Sequence, residues 1–148
     1  LIFTMPNADT GARELSGMID RFVMTHSNAR VYTSLGQLRY LSCLQFVDGV
    51  VGNSSSGLAE APSMGVGTIN IGDRQKGRLS ASSVIHCNPN LKDIRMALSE
   101  LYEPSFRSKL SSTINPYGSG GASEKILNIL KSRSFNDLNR KTFFDMQH

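Results

Sequence analysis

The sequence predicts an α/β fold, a parallel sheet with helices on both faces. Two observations carry this. Short apolar runs rich in β-branched residues recur at 1–5, 30–33, 49–52, 66–71 and 84–87. Stretches with helical signals lie between most of them, joined by connections short enough for βαβ units.

The helical signals take the following order. Leu15, Met18, Ile19, Phe22 and Val23 share one face of a first helix, with Asp9 or Thr10 as its cap. A second, over 37–46, places Leu38, Leu41 and Leu44 together. A third, over 91–103, turns Leu91, Ile94, Leu98, Leu101 and Tyr102 inward. Asn90 caps it, Asp93 suits its positive N-terminal end, and Pro104 stops it. Two further helices are expected over 105–113 and 122–133, split by "NPYGSGGAS". Residues 1–133 read as one domain. The tail 134–148, with Phe135, Phe143 and Phe144 in polar company, reads as a segment that packs against something further.

Composition narrows the function. A chain of 148 residues, 39% hydrophobic and 19% charged, can bury a core and reads as globular. Its net charge of +4 is mild and spread along the chain, which suits anionic small molecules as well as nucleic acid. Clustered Lys and Arg with interleaved aromatics are missing, which argues against a nucleic-acid partner. Cys43 and Cys87 form no CxxC and read as reduced packing residues of a cytoplasmic protein, and no His/Cys/Asp cluster has metal spacing. No apolar run approaches a membrane span. The opening "LIFTM" reads as a buried strand without an initiator methionine or a signal peptide, so a segment is expected to precede Leu1.

The stretch "VVGNSSSGLAEAPSMG" carries the most chemistry. A strand empties into three serines and a glycine, with a carboxylate three residues later. At the carboxyl edge of a parallel sheet such a turn offers backbone N–H groups and the positive end of a helix, which together favour phosphate. Ser54, Ser55 and Ser56 add hydroxyls, Gly57 permits close approach, and Glu60 suits paired sugar hydroxyls. A capped helix start with a solvated glutamate fits the same residues, and local chemistry leaves both readings open. "NIGDRQKGR" falls at the same edge, where Arg74, Lys76 and Arg78 could neutralise a diphosphate, Arg74 above all. The alternative there is a solvated charged loop. "PNADTG" offers Asn7, which a turn with a helix cap explains nearly as well. Walker, GxGxxG and GxSxG patterns are absent. His26, His86 and His148 read as structural or solvated, and paired carboxylates for acid–base work are missing.

"GNSSSGLAEAPSMGVGTINIGDRQKGRLSASSVIHC", with "PNADTG" upstream and "NPYGSGGASEKI" downstream, resembles the hydrolysing UDP-N-acetylglucosamine 2-epimerases of bacterial sialic acid synthesis. The resemblance covers nearly all of this chain but only the latter part of the family's sequence. It implies a Rossmann-like domain, the second of a glycosyltransferase-B-type fold, binding UDP and UDP-N-acetylhexosamine without a cofactor or metal. It implies diphosphate contacts at Ser54 and Ser55 with loop N–H groups near Gly57, ribose on Glu60, nucleotide contacts at Arg74 and Asn7, and uracil read near Leu35. The reaction it implies removes the C2 proton, expels UDP to leave a glycal, and adds water to give N-acetylmannosamine.

The carboxylates and histidine for that chemistry would lie upstream of Leu1, so no catalytic residue is expected here and residues 1–148 alone are expected to be inactive. The full-length protein is expected to be a homo-oligomer. Three alternatives stand beside this reading: a UDP-diacetylbacillosamine 2-epimerase of legionaminic acid synthesis, the nucleotide-binding half of a glycosyltransferase, and a non-catalytic UDP-binding fragment.

Overall fold

The computed structural model describes residues 1–7 and 10–134. It opens with β1 (Ile2–Thr4), α1 (Ala12–Thr25), β2 (Arg30–Tyr32), α2 (Gly36–Leu44) and β3 (Gly49–Gly52). A single-turn α3 (Ser56–Ala59) runs into a 3-10 turn (Ala61–Met64), followed by β4 (Gly67–Ile71) and β5 (Val84–Cys87). The helices α4 (Leu91–Tyr102), α5 (Pro104–Leu110) and α6 (Ala122–Ser132) complete it. Each strand stands where its apolar run predicts. Two compact units divide after Tyr117, and the described part of the second holds α6. Phe135, Phe143 and Phe144 of the expected tail lie outside the described residues.

All strand pairs are parallel, but they form two sheets. β1 pairs with β2, Phe3 opposite Val31. β3, β4 and β5 form the other, with Val51 opposite Ile69 and Ile69 opposite Ile85. The three-stranded sheet carries helices on both faces, because side chains alternate along a strand. Ile69 and Ile85 pack with Ala97 and Leu101 of α4 and with Phe106 of α5. On the opposite face Val50 joins Leu44, Tyr40 and Leu41 of α2 and Ala61, while Thr68 meets α3.

Two helix faces differ from expectation. In α4 the buried positions are Ala97 and Leu101, 3% and 2% exposed, whereas Leu91, Leu98 and Tyr102 are exposed. The small Ala97 lets the helix approach the strands closely, a role that counting large apolar residues overlooks. The approach is tight: a Cβ on Gly67 would stand 2.5 Å from Leu101 Cδ1, and one on Gly49 2.7 Å from Leu101 Cδ2. In α2, Leu44 is buried but Leu38 is 81% exposed, and Tyr40 takes the inward place beside Leu41.

The caps differ too. Asn90 Oδ1 accepts from Asp93 N at 2.9 Å, as its sequence position predicts, and Pro104 opens α5 immediately after α4 ends. The first helix, by contrast, starts at Gly11 in the left-handed region (φ 84°) with no side-chain cap, so Thr10 does not serve. Asp9 lies outside the described residues.

Candidate functional site

The carboxyl ends of β1, β2, β3 and β4 open on one cleft of about 620 Å³. Its polar rim gathers Asn7, Leu35, Asn53, Ser54, Gly57 and Arg74 from four separate segments. Five of the seven residues picked from sequence therefore meet around one cavity. The other two, Ser55 and Glu60, are not part of its lining.

The serine loop is built as follows. Gly57 N donates to Ser54 O at 3.2 Å, and Ser56 N to Ser54 Oγ at 3.3 Å, closing the turn on itself. Ser55 is the N-cap, and its carbonyl accepts from Leu58 N and Ala59 N, both at 3.0 Å. The backbone N–H groups of Ser54 and Ser55 make no hydrogen bond to another described residue, and both residues are exposed. The donors on offer are thus at 54 and 55, while the Gly57 N–H is spent within the turn. Because α3 is one turn long, the expected helix dipole contributes little, and individual N–H and O–H groups carry the site's positive character.

Gly57 has a second reason to be glycine. A Cβ there would stand 2.5 Å from Thr68 Cγ2, and Thr68 Oγ1 donates to Gly57 O at 3.0 Å in the buried interior. Close packing of the loop on β4 needs the missing side chain whether or not a ligand is bound.

Glu60 ends α3, half-buried, and one of its carboxylate oxygens accepts from Ser56 Oγ. The same hydroxyl lies 2.6 Å from that of Tyr40, which lines the cleft. A serine hydroxyl has one proton, so when Ser56 donates to Glu60 the tyrosine donates to Ser56. Burial raises the Tyr40 pKa above its ordinary value; the Ser56 hydrogen bond opposes the rise and the charge of Glu60 adds to it. Glu60 is thereby tied to the cleft wall through two hydroxyls. Tyr40 and Ser56 have no signature in the sequence that would assign them this place.

The basic loop divides. Arg74 lines the cleft, its Nη1 3.5 Å from Asn53 Oδ1. Lys76 and Arg78 line a separate depression of about 370 Å³ beside Asn70 and His86, so the three cations do not converge on one anion. Between them Gln75 is buried and donates through Nε2 to Asn53 O at 2.7 Å, joining the loop after β4 to the serine loop. Only the contrast of one neutral amide within a charged run could have pointed to it. His86 is held by Asn70 and Ser80, and His26 stacks on Phe22 at 3.8 Å, and both are exposed. Among the described residues no three His, Cys, Asp or Glu gather as a metal site, and no helix is long and apolar enough to cross a membrane.

Known proteins are similar to this chain. A polysialic acid biosynthesis protein of Escherichia coli is 37% identical over 130 residues, which are 88% of this chain and 33% of that protein. A GDP/UDP-N,N'-diacetylbacillosamine 2-epimerase (hydrolyzing) of Campylobacter jejuni is 34% identical over 148 residues, 99% of this chain and 38% of its own length. The chain thus spans little more than a third of these relatives. The UDP-GlcNAc 2-epimerase of Neisseria meningitidis, solved bound to UDP-GlcNAc, superposes with a TM-score of 0.66 at 20% identity, over 88% of this chain and 36% of that one. Residues 1–131 match the sequence family described as UDP-N-acetylglucosamine 2-epimerase, and the chain belongs to that family.

Proposed function

We propose that residues 1–148 form the UDP-binding C-terminal part of a hydrolysing UDP-N-acetylglucosamine 2-epimerase, the second domain of a glycosyltransferase-B-type fold. One observation carries this: the cleft collects Asn7, Leu35, Ser54, Gly57 and Arg74 from the four loops that follow β1, β2, β3 and β4. A nucleoside diphosphate has the matching sequence of groups. Its diphosphate meets the N–H and hydroxyl donors of Ser54 and Ser55 with the charge of Arg74, and its base lies toward Leu35 at the start of α2. The ribose hydroxyls donate to Glu60, whose carboxylate Ser56 and Tyr40 hold in place. The solved relative bound to UDP-GlcNAc supports the ligand class.

The bond-breaking groups belong to polypeptide outside this chain. Abstraction of the C2 proton needs a base at about 2.6–3.2 Å, and Glu60, the carboxylate tied to this site among the described residues, is engaged at the ribose end of the nucleotide. Residues 1–148 therefore bind UDP but release none from UDP-N-acetylglucosamine. The diacetylbacillosamine sugar is the second reading, favoured by the Campylobacter relative's name. Product analysis of a protein containing these residues and the upstream part separates the two sugars.

Calorimetric titration of UDP into the chain is the primary test. A charge-assisted hydrogen bond is worth ~1.5–3 kcal/mol, so Glu60→Ala should weaken UDP by roughly tenfold to a hundredfold. An unchanged affinity in the folded variant would remove Glu60 from the ribose. Heat-silent, competition-silent mixing of UDP with the unaltered chain would remove the nucleotide reading altogether.

A further inference from the structure

The smaller depression holds groups that take no part in the proposed nucleotide site. It has a volume of about 370 Å³ at the carboxyl ends of β4 and β5, and most of its lining comes from the loop after β4. That loop makes two consecutive turns, with Lys76 N donating to Asp73 O at 2.9 Å and Arg78 N to Gln75 O at 3.2 Å. Gly77 lies in the second, at φ 81° in the left-handed region that favours glycine. Its own N–H makes no hydrogen bond to another described residue. Lys76 and Arg78 flank it, both exposed, and neither side chain makes a hydrogen bond or ion pair to a described residue. Three consecutive residues therefore offer donors and positive charge to one space.

The rest of the lining supplies the opposite chemistry. Asn70 and Gln75 are only 2% and 4% exposed, yet Asn70 Oδ1 and Gln75 Oε1 accept no hydrogen bond from a described residue. Their amide nitrogens are engaged elsewhere. Gln75 Nε2 donates to Asn53 O, and Asn70 Nδ2 donates to Gly72 O at 3.4 Å and stands 3.1 Å from His86 Nδ1. Facing a donor, His86 Nδ1 accepts, and the ring proton sits on Nε2, 3.3 Å from Ser80 Oγ. The imidazole is then neutral and adds no third charge. Asp73, exposed on the same lining, is a further acceptor. Buried acceptors left open carry the cost of their lost hydration, so such groups ordinarily have a donor beside them.

We propose that this depression is a second ligand site, for a small hydroxylated oxyanion: a phosphate or carboxylate carried on a polyol. The anionic group meets Lys76, Arg78 and the Gly77 N–H, and hydroxyls of the same molecule donate to the open amide oxygens of Asn70 and Gln75. Simpler occupants meet only half of the lining. A metal cation is repelled by Lys76 and Arg78, water leaves both charges without a counterion, and an anion without hydroxyls leaves the amide oxygens open. The volume falls within the roughly 300–1,000 Å³ of small-molecule pockets. Arg74, the cation assigned to the diphosphate, lines the other cleft, so the two sites use different charges. The proposal stands whether or not the rim binds UDP.

The test titrates the isotope-labelled chain with glycerol phosphate and, separately, with glycerate, following backbone and side-chain amide resonances by NMR. Saturable shifts at the Asn70 and Gln75 side-chain amides and at backbone 76–78 are the expected result, and the tighter of the two probes identifies the anionic group. Inorganic phosphate and glycerol alone should each bind about tenfold more weakly or less tightly still. Lys76→Ala and Arg78→Ala, both at exposed positions, should each weaken the better probe by roughly threefold to tenfold. Absence of shifts with both probes overturns the proposal, as do shifts centred on Ser54 and Arg74. Inorganic phosphate binding as tightly as glycerol phosphate, or wild-type affinity in both variants, overturns it equally.

Discussion

The two sheets are made from similar sequence and end in different states. Around β3, β4 and β5 the helix α4 meets its strands through Ala97 and Leu101, which are buried together with Ile69 and Ile85. Around β1 and β2 the helix α1 has an equally clear apolar face, yet none of its residues is buried, and Leu15, Met18 and Phe22 are exposed. Periodicity is therefore not what separates them. The three-stranded sheet gives α4 two neighbouring strands to lie across, whereas β1, among the described residues, pairs with β2 alone. An amphipathic face is a demand for cover, and only adjacent strands can meet it.

The largest expected effect contrasts the two helices directly. Leu101→Ala should cost roughly 2–5 kcal/mol in chemical denaturation, the range for emptying a packed core position. Leu15→Ala, starting half exposed, should cost about 1 kcal/mol or less. Equal losses would mean that α1 is as well packed as α4, against its exposure. A step smaller, Gly67→Ala drives a Cβ to 2.5 Å from Leu101 Cδ1 and 3.0 Å from Phe106 Cε1. Overpacking of this kind costs roughly 1–3 kcal/mol, visible as a lowered Tm.

The caps sharpen the same contrast. Asn90→Ala removes the side chain that accepts from Asp93 N and should cost about 1 kcal/mol, while Thr10→Ala at the uncapped start of α1 should change stability by about 0.5 kcal/mol or less. The smallest effect is a dependence on pH. The Tyr40 pKa is raised in the folded state by burial, opposed by Ser56 and reinforced by Glu60. The folded chain therefore keeps this proton to higher pH than the unfolded chain. Its contribution is fully present below the ordinary tyrosine value near 10 and is lost as pH rises through the folded value. Tyr40→Phe should flatten that alkaline decline. An identical decline in the variant would show that other groups cause it.

Much of the candidate site is legible in the sequence because its residues cluster in short loops after apolar runs. Ser54, Gly57 and Arg74 could be picked from loop chemistry, and the rim unites them with Asn7 and Leu35. Gln75 and Tyr40 could not, since their partners Asn53 and Ser56 are 22 and 16 residues away along the chain. The separation of Lys76 and Arg78 from Arg74 was equally hidden, because a run of cations does not say which way each side chain turns.

The sequence by itself determined where strands and helices lie, the parallel sense of the strands, and the kind of group at each loop. These follow from short-range periodicity and from connection length, both of which are local properties of the chain. Tertiary structure decided which apolar faces are covered, why Gly57 must lack a side chain, and that β1 and β3 stand apart with a cleft between them. The physical reason is common to all three. Burial and backbone pairing depend on which segment lies beside which, so a strand's pattern states what it needs from a neighbour without saying whether that neighbour is there.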